Sequence, residues 1–257
     1  MHFTEAQVFG QVASFIWPLL RITAMFIAVP VFSIRAVPAR VRLILAVAIT
    51  FVVMPLLPAL PAVEMFSYEG GMVAIAQVMI GLVSGFIVQL VFSSVIFAGQ
   101  GIALSMGLGF ASLIDPQNGQ QVPVVAQFYV IISTLIFFNL DGHLLLIKML
   151  LDSFTTLPIG VEGVAKADIW VIIGWSSRMF AVGLLLAMPV IVSLLLVNVS
   201  FGVATRAAPQ LNIFSVGFPV TLMLGILLMW LTLPEVSEQI AGLLTNAYEL
   251  LGQLLKL

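Results

Sequence analysis

From Gly70 to Ile114 the chain runs for 45 residues without a charged side chain. As one straight helix this run would be about 67 Å long, twice the hydrocarbon core of roughly 30 Å. As two spans and a turn it is barely long enough, so a long helix followed by a re-entrant or pore-lining segment fits better. The rest of the chain agrees with a membrane solution. It has 257 residues, 62% hydrophobic and 8% charged, with a mean hydropathy of +1.23. A soluble domain is nearer a quarter charged, and a chain this apolar has too little polar surface to cover a water-facing globule. An all-α integral membrane protein, or a subunit buried in a larger apolar assembly, is expected.

Six apolar segments are long enough to be spans: about Val8–Phe32, Val41–Leu57, Met72 to beyond Ala98, Val122–Leu140 with a continuation toward Leu151, Trp170–Phe201 and Ile213–Leu233. Six spans put both termini on one side. Arg35, Arg40 and Arg42 lie between the first two and Arg206 between the last two, so the positive-inside rule places those loops in the cytoplasm and both termini outside. The N-terminus lacks a basic n-region, and Arg21 is the first Lys or Arg, so the first segment reads as part of the mature fold rather than a cleaved signal. Pro18, Pro55, Pro189 and Pro219 lie in or near these segments and predict Pro/Gly breaks, which membranes tolerate where neighbouring helices or a cavity satisfy the freed groups. Beyond Pro234, Ile240, Leu243, Leu244, Ala247, Leu250, Leu251 and Leu254 share one face of a C-terminal amphipathic helix. With three acids and one Lys, that tail is expected to dock on protein rather than on anionic lipid.

Chemistry is sparse. A net charge of -2 gives no electrostatic footprint for nucleic acid, and the absence of cysteine removes thiol catalysis, disulfides and Cys-ligated metal. No catalytic, cofactor-binding or metal-binding motif occurs. Asp141-Gly142-His143 suits a helix break better than a proton relay, because the pair lacks a third partner. Arg21 lies well inside its segment and Arg178 about eight residues inside another; both are candidates for buried ion pairs, Arg178 with the option of snorkelling to the interface. In the third segment Gly81 and Gly85 form a GxxxG pair that permits close helix approach. Gln89, Ser93 and Gln100, at offsets of 4 and 7, form a polar stripe that needs water or a second helix.

The end of the charge-free run is distinctive. Gly99, Gly101, Gly107 and Gly109 weaken the helix, each by about 1 kcal/mol relative to Ala. Asp115-Pro116 and Asn118-Gly119 read as turns, and Pro123 suits a helix start. Gly107–Ile114 is therefore an apolar arm and 115–121 a polar turn. At membrane depth such backbone is allowed only when buried in protein or lining a cavity.

GLGFASLIDPQNGQQVPVVAQF (Gly107–Phe128) resembles the central block of the FliR family, the R subunits of the type III secretion export gate. FFNLDGHLLLIKMLLDSFTTLPIG (Phe137–Gly160), RAAPQLNIFSVGFPVTLMLG (Arg206–Gly225) and the early Pro30-x-Phe32 with Pro38-x-Arg40 extend the resemblance over essentially the whole chain. It implies a non-enzymatic, pore-forming and gating subunit of the flagellar export apparatus in the bacterial inner membrane at the basal body. The implied partners are the P-type and Q-type subunits FliP and FliQ, FlhB and FlhA, unfolded substrate proteins in transit and membrane lipid, with no cofactor. It also implies P-subunit-like helices over 1–165, a Q-subunit-like hairpin and tail over 166–257, and helices lifted partly out of the bilayer. Its plug loop corresponds to 107–121, carried by Gly107, Leu108, Gly109, Phe110, Leu113, Ile114, Asp115 and Pro116. The alternative from another class is a stand-alone proton-coupled solute transporter using Asp115, Asp141 and His143, against which stands the lack of an inverted repeat. A membrane-embedded enzyme is a third class with no supporting residues.

Overall fold

A computed structural model of the chain describes residues 5–33, 37–58, 63–108, 123–207 and 213–257. The regular structure among them is helical: α1 (Glu5–Ala28), the short α2 (Pro30–Ser33), α3 (Ala39–Val53) continued by a 3-10 turn (Met54–Leu56), α4 (Tyr68–Ser105), α5 (Val124–Asn139), α6 (Gly142–Thr156), α7 (Lys166–Ala207) and α8 (Ile213–Leu255). Five of these helices are long and apolar enough to cross a membrane. A sixth span results if α5 and α6, separated only by Leu140 and Asp141, count as one broken span.

Local chemistry sets the helix ends. Ser67 caps α4, its Oγ accepting the Gly70 amide at 3.0 Å, with Glu69 in the first turn where the helix dipole favours an anion. At the start of α7, Asp168 reaches back to accept the Ala165 amide at 2.9 Å. Asp141 adopts the left-handed conformation (φ 52°) between α5 and α6. A short polar residue bears that strain more easily than most others, so the chain breaks there rather than at a proline.

The prolines themselves are accommodated. Pro18 lies inside α1, Pro189 inside α7, and Pro219 and Pro234 inside α8, while Pro55 sits in the 3-10 turn. Each removes one donor, yet the turns on either side bury together: Trp17 and Ile22 around Pro18, Ala187 and Val190 around Pro189, Met229 and Val236 around Pro234. The last span and the amphipathic tail are consequently one continuous helix.

Two compact units divide the chain. The first comprises 1–90, 141–175 and 244–257, the second 91–140 and 176–243, so that α4, α7 and α8 contribute to both. The core of the first gathers Ala13 and Trp17 of α1, Val73 of α4, Phe154 of α6 and Ile159. Here the tail of α8 packs its apolar face on its own chain. Tyr248 donates to the Gly142 carbonyl at 2.8 Å, and Thr156 donates to the Leu255 carbonyl at 2.6 Å. In the second unit Phe92 meets Phe137 edge-on at 6.1 Å, and Phe97 meets Phe180 at 5.6 Å. Gly99 of α4 lies against the Ala126 backbone, closer than any side chain would allow.

Candidate functional site: the root of the arm and a buried guanidinium

α4 stops in a Schellman turn. The Leu108 amide donates to the Ala103 carbonyl at 2.9 Å and the Gly107 amide to the Leu104 carbonyl at 3.0 Å, with Gly107 left-handed (φ 82°). Gly107 is thus the fixed end of α4, and its seat is tight: a Cβ there would lie 3.2 Å from the Phe218 ring. Met106 is buried beside it, in space that Gly225 leaves by lacking a side chain. Leu108 is half-buried. Gly109, Phe110, Leu113, Ile114, Asp115 and Pro116 lie outside the described residues. Gly107→Ala is expected to cost about 1–2 kcal/mol, because a Cβ disfavours the left-handed conformation. Gly107→Asn should cost less than Gly107→Val. Thermal unfolding of the purified chain in detergent reads both, and equal costs would show that backbone conformation does not govern this position.

The GxxxG pair and the amide stripe occupy different faces of α4. Gly81 and Gly85 are buried against α1. A Cβ on Gly81 would strike the Arg21 carbonyl, and one on Gly85 would lie 2.9 Å from the Met25 carbonyl. The two helices therefore run in the same direction. Gln89 and Gln100 are exposed and Ser93 is half-buried, in line with the outward Leu82, Phe86, Phe97 and Leu104.

Arg21 is completely buried. Its Nε donates to Gln77 Oε1 at 2.9 Å, Nη1 to Ser153 Oγ at 3.0 Å and Nη2 to the Leu157 carbonyl at 2.9 Å. The Phe154 ring lies 4.2 Å from the guanidinium carbon, a cation–π contact. Each acceptor is uncharged, where the sequence suggested a partner carboxylate. The compensation comes from the end of α6: Ser153 is in its last turn and Leu157 is its C-cap, where unpaired carbonyls concentrate the negative end of the helix dipole. α6 has no basic residue in its own last turn, so α1 supplies the cation. The Arg21 Nε only donates, which fixes the Gln77 amide with its oxygen inward and leaves Nε2 without a partner. Arg178 is exposed on α7. The sequence signal for the missed Gln77 was its spacing: Gln77, Gly81 and Gly85 recur every fourth residue on the face turned to α1. Ser153 and Leu157 carried no comparable signal.

Asp141 is exposed at the α5–α6 break and His143 is half-buried after it. Among the described residues no group of three His, Asp or Glu side chains could hold a metal ion.

Residues 12–247 fit the family described as bacterial export proteins, family 1. The chain belongs to that family. It is 40% identical over 253 residues to the flagellar biosynthetic protein FliR of Pectobacterium carotovorum subsp. carotovorum, covering 98% of this chain and 97% of that one. It is 39% identical over 252 residues to FliR of Escherichia coli (strain K12), covering 98% and 96%. FliR of Bacillus subtilis (strain 168) is 27% identical over 247 residues, 95% of each chain. As a member of the FliR-type export proteins the chain is a membrane-seated, structural component of the flagellar export apparatus, a complex with other export components.

Proposed function

We propose that this chain is the pore-forming and gating subunit of that apparatus. In this reading residues 107–121 form a plug that closes the channel until an unfolded flagellar protein enters. FliP and FliQ surround the chain, FlhB and FlhA lie nearby, and the complex sits in the inner membrane at the basal body. Residues 1–165 take the part of a P-type subunit and 166–257 that of a Q-type hairpin with its tail.

One observation carries the assembly. α7 exposes large apolar side chains from Ile169 to Val203, a rise of about 51 Å at 1.5 Å per residue. A bilayer core of about 30 Å covers only about 39 Å of helix even at a 40° tilt, the upper end of what membrane helices show. The remainder needs protein to cover it. The plug reading rests on the root at Gly107, which holds the start of an uncharged arm at a defined place on the second unit. A pore wide enough for unfolded protein leaks ions unless something compliant and apolar fills it, and Leu108, Phe110, Leu113 and Ile114 supply that filling.

Deleting residues 109–121 while keeping Gly107 and Leu108 is expected to raise ion conductance through the assembled complex in planar bilayers. Conductance equal to that of the intact complex would remove the plug assignment.

A further inference from the structure

Arg21 stands two turns before the end of α1, which has the lowest mean hydropathy of the five helices long enough to cross a membrane singly. A guanidinium is disfavoured in hydrocarbon unless polar groups receive it. Its three acceptors lie 56, 132 and 136 residues away in the chain, all of them C-terminal to it. Two of the three sit at the C-terminal end of α6. The pocket is sealed, since Arg21, Gln77 and Ser153 have no exposed surface, so neither solvent nor lipid headgroups reach the guanidinium in the finished fold.

We propose that Arg21 is a folding checkpoint: α1 takes its buried place only after α6 has been made and has brought Ser153 and the Leu157 carbonyl to the guanidinium. Until then Arg21 holds α1 at the membrane surface with its charge in water. At about 5–20 residues per second, the delay between synthesis of Arg21 and of Leu157 is roughly 7–27 s. A chain that ends before α6 therefore leaves α1 out of its buried place. Removing the two side-chain acceptors alone leaves the charge with the Leu157 carbonyl as its one acceptor, whereas removing the charge with them leaves that single carbonyl unpaired in place of a stranded cation.

The chain contains no cysteine, so Leu19→Cys, at a half-buried position of α1, reports through a water-soluble maleimide applied to permeabilised membranes. In the full-length chain, Gln77→Leu with Ser153→Ala is expected to raise labelling of the introduced thiol at least threefold over the parent. Adding Arg21→Leu is expected to return it to the parent level. In a pulse-chase, the parent should be labelled during the first roughly 10–30 s and then become protected, while Arg21→Leu alone is protected from the earliest point. Three results would overturn the checkpoint. One is unchanged labelling when the acceptors are removed. Another is labelling that persists in the triple variant, which would trace it to general loss of packing. The third is the same early window with and without Arg21.

Discussion

Arg21→Met is expected to destabilise the folded chain by about 2–4 kcal/mol, and Arg21→Lys by nearly as much. Methionine fills the stem's space but leaves Gln77 Oε1, Ser153 Oγ and the Leu157 carbonyl facing an apolar group. Buried acceptors left unpaired cost about 1–3 kcal/mol each, and relief of the guanidinium's own desolvation offsets part of that sum. Lysine keeps the charge and fails for a geometric reason. The three acceptors belong to α4, to the last turn of α6 and to its C-cap, and a planar fork meets all three whereas a compact ammonium does not. The Phe154 ring at 4.2 Å also suits a flat cation. Thermal unfolding of the purified chain in detergent gives both values. A Lys variant within about 0.5 kcal/mol of the parent, the noise of a neutral surface change, would show that charge alone, not the fork, holds the three segments together.

The second large effect concerns Gly81. Alanine is normally the better helix residue by about 1 kcal/mol, and at Gly10, where an added Cβ meets nothing within 4 Å, Gly10→Ala should stabilise by roughly that amount. At Gly81 the sign reverses. The added Cβ meets the Arg21 carbonyl and lies 2.8 Å from Ala24 Cβ, so α1 must move away from α4. That movement also stretches the Arg21–Gln77 contact one turn earlier. Overpacking of this kind costs about 1–3 kcal/mol, and Gly81→Leu should exceed it and prevent closure of the first unit. Comparing the two alanine variants by the same unfolding measurement separates helix propensity from helix contact. A stabilising Gly81→Ala would mean that α1 and α4 are not held at this distance.

How far the sequence could be read follows from the range of each interaction. The uncharged run supplies residues 70–105 of α4, and Gly107 closes that helix in a Schellman turn, because helix ends are decided by the few residues around them. The amphipathic tail was visible as one apolar face, and its docking on protein is realised within the chain itself, through Tyr248 and Thr156. GxxxG announced a close approach without naming its partner. Gln89, Ser93 and Gln100 share a stripe as their spacing requires, but which way the stripe faces depended on where α1 lies.

The sequence by itself therefore determined the material: apolar helices long enough for a membrane, a glycine that ends the long uncharged run's helix, a tail with one apolar face, and membership of a family of export proteins through ordered blocks along the whole chain. Tertiary structure alone decided that Pro18, Pro189 and Pro234 leave their helices continuous, because burial on both sides outweighs one lost donor apiece. It decided as well that Arg21 is answered by an amide, a hydroxyl and a helix end rather than by a carboxylate. Those partners stand up to 136 residues away, and local periodicity carries no information about which distant carbonyl will be left unpaired beside a given charge.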